Sequence, residues 1–174
     1  NVDEDFLPSK EVLYFINANK EEGIRSHTFK SFDDISEKKN EIYKAYENQC
    51  LKEGVVDFAE LLLRCLELFQ NKPMIREHYQ SIFQHILVDE FQDTSKLQYE
   101  WLKLLTSKTS FIFAVGDDDQ SIYGFRGARP GNMNDLQKDF KIKNIIKLEQ
   151  NYRSKNNILN AANAIIENNA NRLG

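Results

Sequence analysis

The sequence predicts an α/β protein, a parallel sheet with helices, preceded by an all-helical segment. Three observations predict it. From Pro8 to about Asn71 the apolar residues recur at helical spacing throughout. After His85, short apolar runs alternate with helical patterns, which is the order of a parallel sheet with crossover helices. Each apolar run ends in a polar cluster, as strands do when they deliver chemistry at one edge of an open sheet. The 174 residues are 41% hydrophobic and 11% aromatic with 3 Pro and 7 Gly, a composition that builds a core and excludes disordered or collagenous classes.

The elements follow in order. Ser9 is placed to cap a first helix carrying Val12, Leu13 and Ile16, and a long polar, thinly buried helix follows with Ile35, Ile42, Tyr46 and Cys50 on one side. After Gly54, Asp57 and Glu60 stand at the spacing of a capping pair before Phe58, Leu61, Leu62, Cys65, Leu66 and Phe69, a core helix. Pro73 opens another helix through Tyr79 and Phe83. Ile86 to Val88 reads as a buried strand ending in Asp89-Glu90. Ser95, with Gln98, starts a helix whose face is Leu97, Trp101, Leu104 and Leu105. Phe111 to Val115 is a second buried strand, ending in Gly116-Asp117-Asp118-Asp119-Gln120. A helix around Met133 to Phe140 precedes a third strand, Ile145 to Leu148, and a last helix capped by Ser154.

Charge and cysteine content narrow the class. Lys and Arg number 23 against 27 Asp and Glu, a net charge of -4, so any nucleic-acid contact rests on a local patch rather than on a whole-chain field. Cys50 and Cys65 are too few for a disulfide framework or a four-ligand zinc site and read as structural residues of helices. His27, His78 and His85 have no metal-ligand spacing with them. No apolar run is long enough for a membrane span, and the acidic start is unlike a signal peptide, which points to a cytoplasmic, reducing compartment.

The strand ends carry the candidate chemistry. Asp89-Glu90 offers one carboxylate to hold a hydrated Mg²⁺ and a neighbouring one to orient or deprotonate an attacking water. Taken alone, such a pair also reads as a helix start and a solvated loop. Gln120 and Arg153 suit a terminal phosphate, one by hydrogen bond and the other as a guanidinium. The run Asp117 to Asp119 reads equally as a solvated turn.

Longer strings sharpen this reading. Asp89-Glu90-Phe91-Gln92-Asp93-Thr94, then Val115 through Ala128 with Gly116-Asp117-Asp118-Asp119-Gln120-Ser121-Ile122-Tyr123-Gly124-Phe125-Arg126-Gly127, then Leu148-Glu149-Gln150-Asn151-Tyr152-Arg153-Ser154, stand in a telling order. They closely resemble motifs II, III and IV of the UvrD/Rep/PcrA-type superfamily 1 DNA helicases. Asp57-Phe58-Ala59-Glu60-Leu61-Leu62 also resembles the stretch where that family's chain returns from its inserted helical 1B subdomain.

The resemblance implies a partial RecA-like P-loop NTPase sheet. It assigns residues 1–54 to the C-terminal part of subdomain 1B, 55–143 to the later part of RecA-like domain 1A and 144–174 to the start of domain 2A. By similarity, ATP and Mg²⁺ are the cofactors and single-stranded and duplex DNA the partners. Asp89 would be the Mg²⁺-linked carboxylate and Glu90 the general base. Gln120 would sense the γ-phosphate, Arg153 would supply an arginine from domain 2A, and Tyr152 would stack on adenine. Tyr123, Phe125 and Arg126 would hold single-stranded DNA, the aromatics by sequence-tolerant stacking and the arginine through phosphate. Many relatives have Trp where this chain has Phe125, so less stacking area is expected here.

One part of such an ATPase is not in the sequence. The first six glycines are followed by Ile24, Val55, Asp117, Phe125, Ala128 and Asn132, so no Gly-Lys-Ser/Thr phosphate loop occurs. The sequence therefore reads as an internal segment of a longer helicase, expected to hydrolyse little ATP by itself and to leave a sheet edge and apolar surface exposed. Two rival readings are a metal-dependent nuclease, with Asp89, Glu90, Asp93 and Asp117 to Asp119 holding two ions, and a non-catalytic DNA-binding module. The nuclease leaves Gln120, the aromatic string and Tyr152-Arg153 without a role.

Overall fold

A computed structural model describes residues 7–129 and 131–168. Its main elements are α1 (Ser9–Glu21), α2 (Asp34–Glu53), α3 (Phe58–Asn71), α4 (Pro73–Ile82), β1 (His85–Val88), α5 (Lys96–Leu105), β2 (Phe111–Ala114), α6 (Asn132–Asp139) and α7 (Asn156–Ile166). Three short 3₁₀ turns, Phe91–Asp93, Asp118–Gln120 and Gly124–Arg126, lie in the connections. The chain divides into two units, one holding Asn1–Leu87 and Ser95–Phe113, the other Val88–Thr94 and Ala114–Gly174.

In the first unit, local chemistry sets the helix ends. Asp33 caps α2 by accepting from the Ser36 N–H at 2.7 Å, while the Ser36 hydroxyl accepts from the Asp33 N–H at 3.1 Å, and Gly54 closes the helix at φ 68, a conformation that favours glycine. The expected Ser9 cap is displaced by one residue. Pro8 occupies the cap position and Ser9 is the first helical residue, an economical start because a residue at the helix entrance needs no N–H of its own. Ser95 and Gln98 form the predicted capping box of α5, with the Gln98 Oε1 accepting from the Ser95 N–H at 2.8 Å.

Two apolar clusters build this unit. Leu7, Val12 and Ile16 pack around the fully buried Tyr43 of α2, so the buried stripe of α2 passes through Tyr43 and Ser36, while Ile35 is exposed. Leu63 and Leu66 of α3 pack on Leu97 of α5, flanked by Trp101 and Leu104. Phe69 stacks on Trp101 with ring centroids 6.2 Å apart. Cys50 is half-buried, and Cys65, read with the core face of its helix, is exposed, because the inner stripe of α3 runs through Leu63, Leu66 and Phe69 and Cys65 lies off it. Phe58, Leu61 and Leu62 are exposed for the same reason.

A charged cluster joins α1, α2 and α3. Lys20, 2% exposed, pairs with Asp57 at 2.6 Å and Glu60 at 3.0 Å. Arg25 reaches Glu60 and Glu67 at 2.7 Å each and Glu47 at 3.3 Å. Asp57 caps α3 through the Glu60 N–H at 2.7 Å as predicted, but the Glu60 carboxylate turns to these cations. Burial alone would raise the Glu60 carboxyl; Arg25, Arg64 and Lys20 outweigh it and hold it down at about 2.

β1 and β2 pair as a two-stranded sheet. The Gln84 carbonyl accepts from the Phe111 N–H at 2.7 Å and the Val88 carbonyl from the Val115 N–H at 2.8 Å, a register in which both strands run the same way. Neither strand is buried on both faces as predicted. Ile86 is buried, but Leu87, Phe111 and Phe113 are exposed, because side chains alternate across a strand and the described residues cover one face. The third predicted strand does not form: residues 141–151 have no strand among the described residues, and Ile145, Ile146 and Leu148 are all exposed. An apolar run without a paired neighbour has no ladder to join. α6 forms where predicted. α7 begins later than predicted, with Lys155 at its cap and no side-chain cap bond, since Ser154 is held instead by the Asn151 side chain.

Candidate active site

The site is built in the second unit, at the carboxyl ends of the two strands. β1 ends at Val88, and Asp89 and Glu90 follow directly. The Asp89 carboxylate accepts from the Glu90 N–H at 2.9 Å. Glu90 stands at φ 50, a left-handed conformation that non-glycine residues adopt at a cost and that clusters at functional positions. Asp89 and Glu90 are both exposed.

The turn that follows is anchored on both sides. Phe91 is fully buried and its N–H donates to the Val115 carbonyl at 2.9 Å. The Thr94 carbonyl accepts from Asn132 Nδ2 at 2.8 Å and from the Arg129 N–H at 3.2 Å, which ties the turn to the start of α6. Asn132 is itself buried.

Gln92 is the centre of the arrangement. It is 1% exposed, its Nε2 donates to Glu90 Oε2 at 2.8 Å, and its Oε1 accepts from the Asp117 N–H at 3.0 Å. The partners fix the amide's orientation, because a backbone N–H only donates and an ionised carboxylate only accepts. The Ser121 hydroxyl donates to the Gln92 carbonyl at 3.4 Å. Asp117 continues the connection: its Oδ2 accepts from Gln120 Nε2 at 2.7 Å and its Oδ1 from the Asp119 N–H at 3.1 Å. Glu90, Gln92, Asp117 and Gln120 thus form one hydrogen-bonded chain. Gly116 makes room for it, since a Cβ there would stand 2.8 Å from Gln92 Oε1 and 3.3 Å from the Gln92 nitrogen.

Sequence reasoning named Asp89, Glu90 and Gln120 but gave Gln92 and Gly116 no role. The one signal for Gln92 was a long amide between Phe91 and Asp93 in a turn that otherwise offers carboxylates. Asp93 lies in the same turn with one buried carboxylate oxygen, Oδ1, lacking a hydrogen-bond partner.

The remaining candidates lie on other segments. Tyr123 is half-buried and Phe125 is 71% exposed, and their rings lie 6.0 Å apart at 47° beside the turn Gly124–Arg126. The Arg126 side chain lies outside the described residues. Tyr152 is exposed, and the Asn151 side chain accepts from the Arg153 N–H at 2.9 Å, so the bonds of that segment are local. Among the described residues no three His, Cys, Asp or Glu side chains gather into one cluster. A cleft lined by Lys10, Tyr14, Phe15 and Lys39 belongs to the first unit and contains none of these residues. No helix among the described residues is long and apolar enough to cross a membrane.

Comparison with known proteins agrees with the motif strings. The chain is 53% identical to a protein named DNA helicase II from Haemophilus influenzae and 50% identical to its namesake from Escherichia coli, in each case over 100% of this chain and 24% of the relative. It is 48% identical over 75% of its length to the ATP-dependent DNA helicase PcrA of Staphylococcus aureus, covering 18% of that protein. The chain therefore spans about a quarter or less of the relatives it matches. Residues 1–141 match the family described as UvrD/REP helicase N-terminal domain, and with both strand-end motifs inside that match, the chain belongs to this family.

Proposed function

We propose that this chain works within a longer ATP-dependent DNA helicase, where it supplies the water-activating side of the ATP site and part of the track for single-stranded DNA. The observation that supports this most is the bonded chain from Glu90 through Gln92 and Asp117 to Gln120, at the carboxyl ends of two adjacent parallel strands. In that place Glu90 orients and deprotonates the attacking water, and Gln120 donates to the terminal phosphate. Arg153 adds positive charge to the same phosphate, and Tyr152 offers its ring to the adenine.

The residues fit a hydrated Mg²⁺ in one respect. Asp89 is an exposed single carboxylate at a strand end, the donor set suited to an ion that keeps most of its waters and takes its other ligands from phosphates. Bound there, Mg²⁺ would neutralise phosphate charge; the residues' own part is to hold it beside Glu90. Tyr123 and Phe125 stack on bases and Arg126 pairs with phosphate, so the DNA preference is for single strands, with duplex unwound ahead of them. Residues 1–54 fit the end of subdomain 1B, 55–143 the later part of RecA-like domain 1A and 144–174 the start of 2A.

The test is hydrolysis by the full-length protein that carries this chain. ATP turnover that rises on adding single-stranded DNA, with ATP-dependent strand separation, is expected. No nucleotide hydrolysis with or without DNA, or Mg²⁺-dependent DNA cleavage without ATP, would overturn the reading.

A further inference from the structure

We propose that Gln92 is a positioning residue for ATP hydrolysis, holding the Glu90 carboxylate toward the attacking water and tying it to the loop that carries Gln120. The inference rests on the reading of Glu90 as general base. Its support is geometric. The Gln92 side chain is buried and both ends of its amide are used, Nε2 toward Glu90 Oε2 at 2.8 Å and Oε1 toward the Asp117 N–H at 3.0 Å. Glu90 itself is exposed and stands on a left-handed backbone, so its side chain is not held by burial, and the Gln92 amide supplies a fixed partner. A buried amide that donates to one carboxylate oxygen selects a single orientation and leaves the other oxygen for water.

The opposite end of the amide makes the coupling. Asp117 donates its backbone N–H to Gln92 and accepts from Gln120 on its carboxylate at 2.7 Å, so a shift of the Asp117 loop moves the groups proposed for water and for phosphate together. The glycine before it is an independent sign that the amide belongs there. Any side chain at Gly116 would stand 2.8 Å from Gln92 Oε1, closer than non-bonded atoms approach.

Three variants of the full-length protein test this, assayed for DNA-stimulated ATP hydrolysis. Gln92→Met removes both bonds, Gln92→Glu keeps the acceptor for the Asp117 N–H but replaces the donor to Glu90 with repulsion, and Gly116→Ala displaces the amide without changing it. Each is expected to lower kcat about 10- to 100-fold with KM for ATP little changed, the pattern of an interaction that counts only in the transition state. Gln92→Met combined with Glu90→Gln is expected to lose no more than Glu90→Gln alone.

A purely structural Gln92 would lose kcat, KM and melting temperature together in all three variants, and that result overturns the proposal. Gln92→Glu or Gly116→Ala turning over at the wild-type rate, with Glu90→Gln inactive, overturns the proposal alone. An active Glu90→Gln overturns the reading of Glu90 and the proposal with it. If Gln92→Met does not fold, Gly116→Ala decides.

Discussion

Replacing Glu60 by Gln removes the carboxylate on which Lys20, Arg25 and Arg64 converge, at 3.0, 2.7 and 2.6 Å. The cost follows from how far these cations hold its carboxyl down. Against an ordinary value of 4.5, a carboxyl held at about 2 corresponds to about 3 kcal/mol at about 1.4 kcal/mol per pH unit. Breaking a buried pair by removing one partner costs about 3–5 kcal/mol by independent measurements, and Arg64 at 48% exposure brings the figure toward the lower end. We expect Glu60→Gln to lose about 2–3 kcal/mol at pH 7.

The pH dependence gives the sharper test. Because the folded-state value lies below the unfolded one, the contribution is complete above about pH 4.5 and is lost as pH falls toward about 2. At pH 3 about half should remain. Urea unfolding followed by the fluorescence of Trp101, the only tryptophan and stacked on Phe69 of α3, reports this unit directly. With m of about 1–3 kcal/mol/M, the midpoint should fall by about 0.7–3 M at pH 7, and the gap to wild type should narrow at pH 3. A loss below about 0.5 kcal/mol, or one equal at both pH values, would refute the reasoning.

Two further predictions concern an exposed aromatic and a helix end. Phe125→Ala in the full-length protein should weaken single-stranded DNA binding by about 1–3 kcal/mol, roughly 5- to 150-fold in Kd by fluorescence anisotropy, with KM for ATP unchanged in the absence of DNA. Ser95→Ala breaks the capping box of α5, where the Ser95 side chain accepts from the Gln98 N–H at 3.3 Å, and should cost about 1 kcal/mol in the same urea titration.

Much of the fold was legible because its signals are local. Caps at Asp57 and Ser95, Pro73 at a helix start and the strands at Ile86 and Phe111 depend on a few neighbouring residues, and all appear in the structure. The misses are of another kind. Ile145 to Leu148 has strand composition, but a strand exists only with a partner in register, which its own residues do not encode. The cation cluster around Glu60 joins residues as far apart as Lys20, Arg25 and Glu67, so sequence spacing showed only the Asp57–Glu60 cap within it.

The candidate site divides along the same line. Asp89, Glu90 and Gln120 were visible as strand-end polar residues, and Phe125 as an exposed aromatic in a glycine-bounded string. Gln92 was not, because its importance lies in a bond to the Asp117 backbone 25 residues away. Gly116 was hidden for the same reason: its lack of a side chain matters only once the Gln92 amide is known to lie against it.

The most direct test of the account is single-turnover ATP hydrolysis by the full-length Glu90→Gln variant in the presence of single-stranded DNA. The account predicts that nucleotide and DNA still bind while hydrolysis slows about 10²–10⁴-fold, the range expected when a positioned general base is removed. Hydrolysis at the wild-type rate would contradict it.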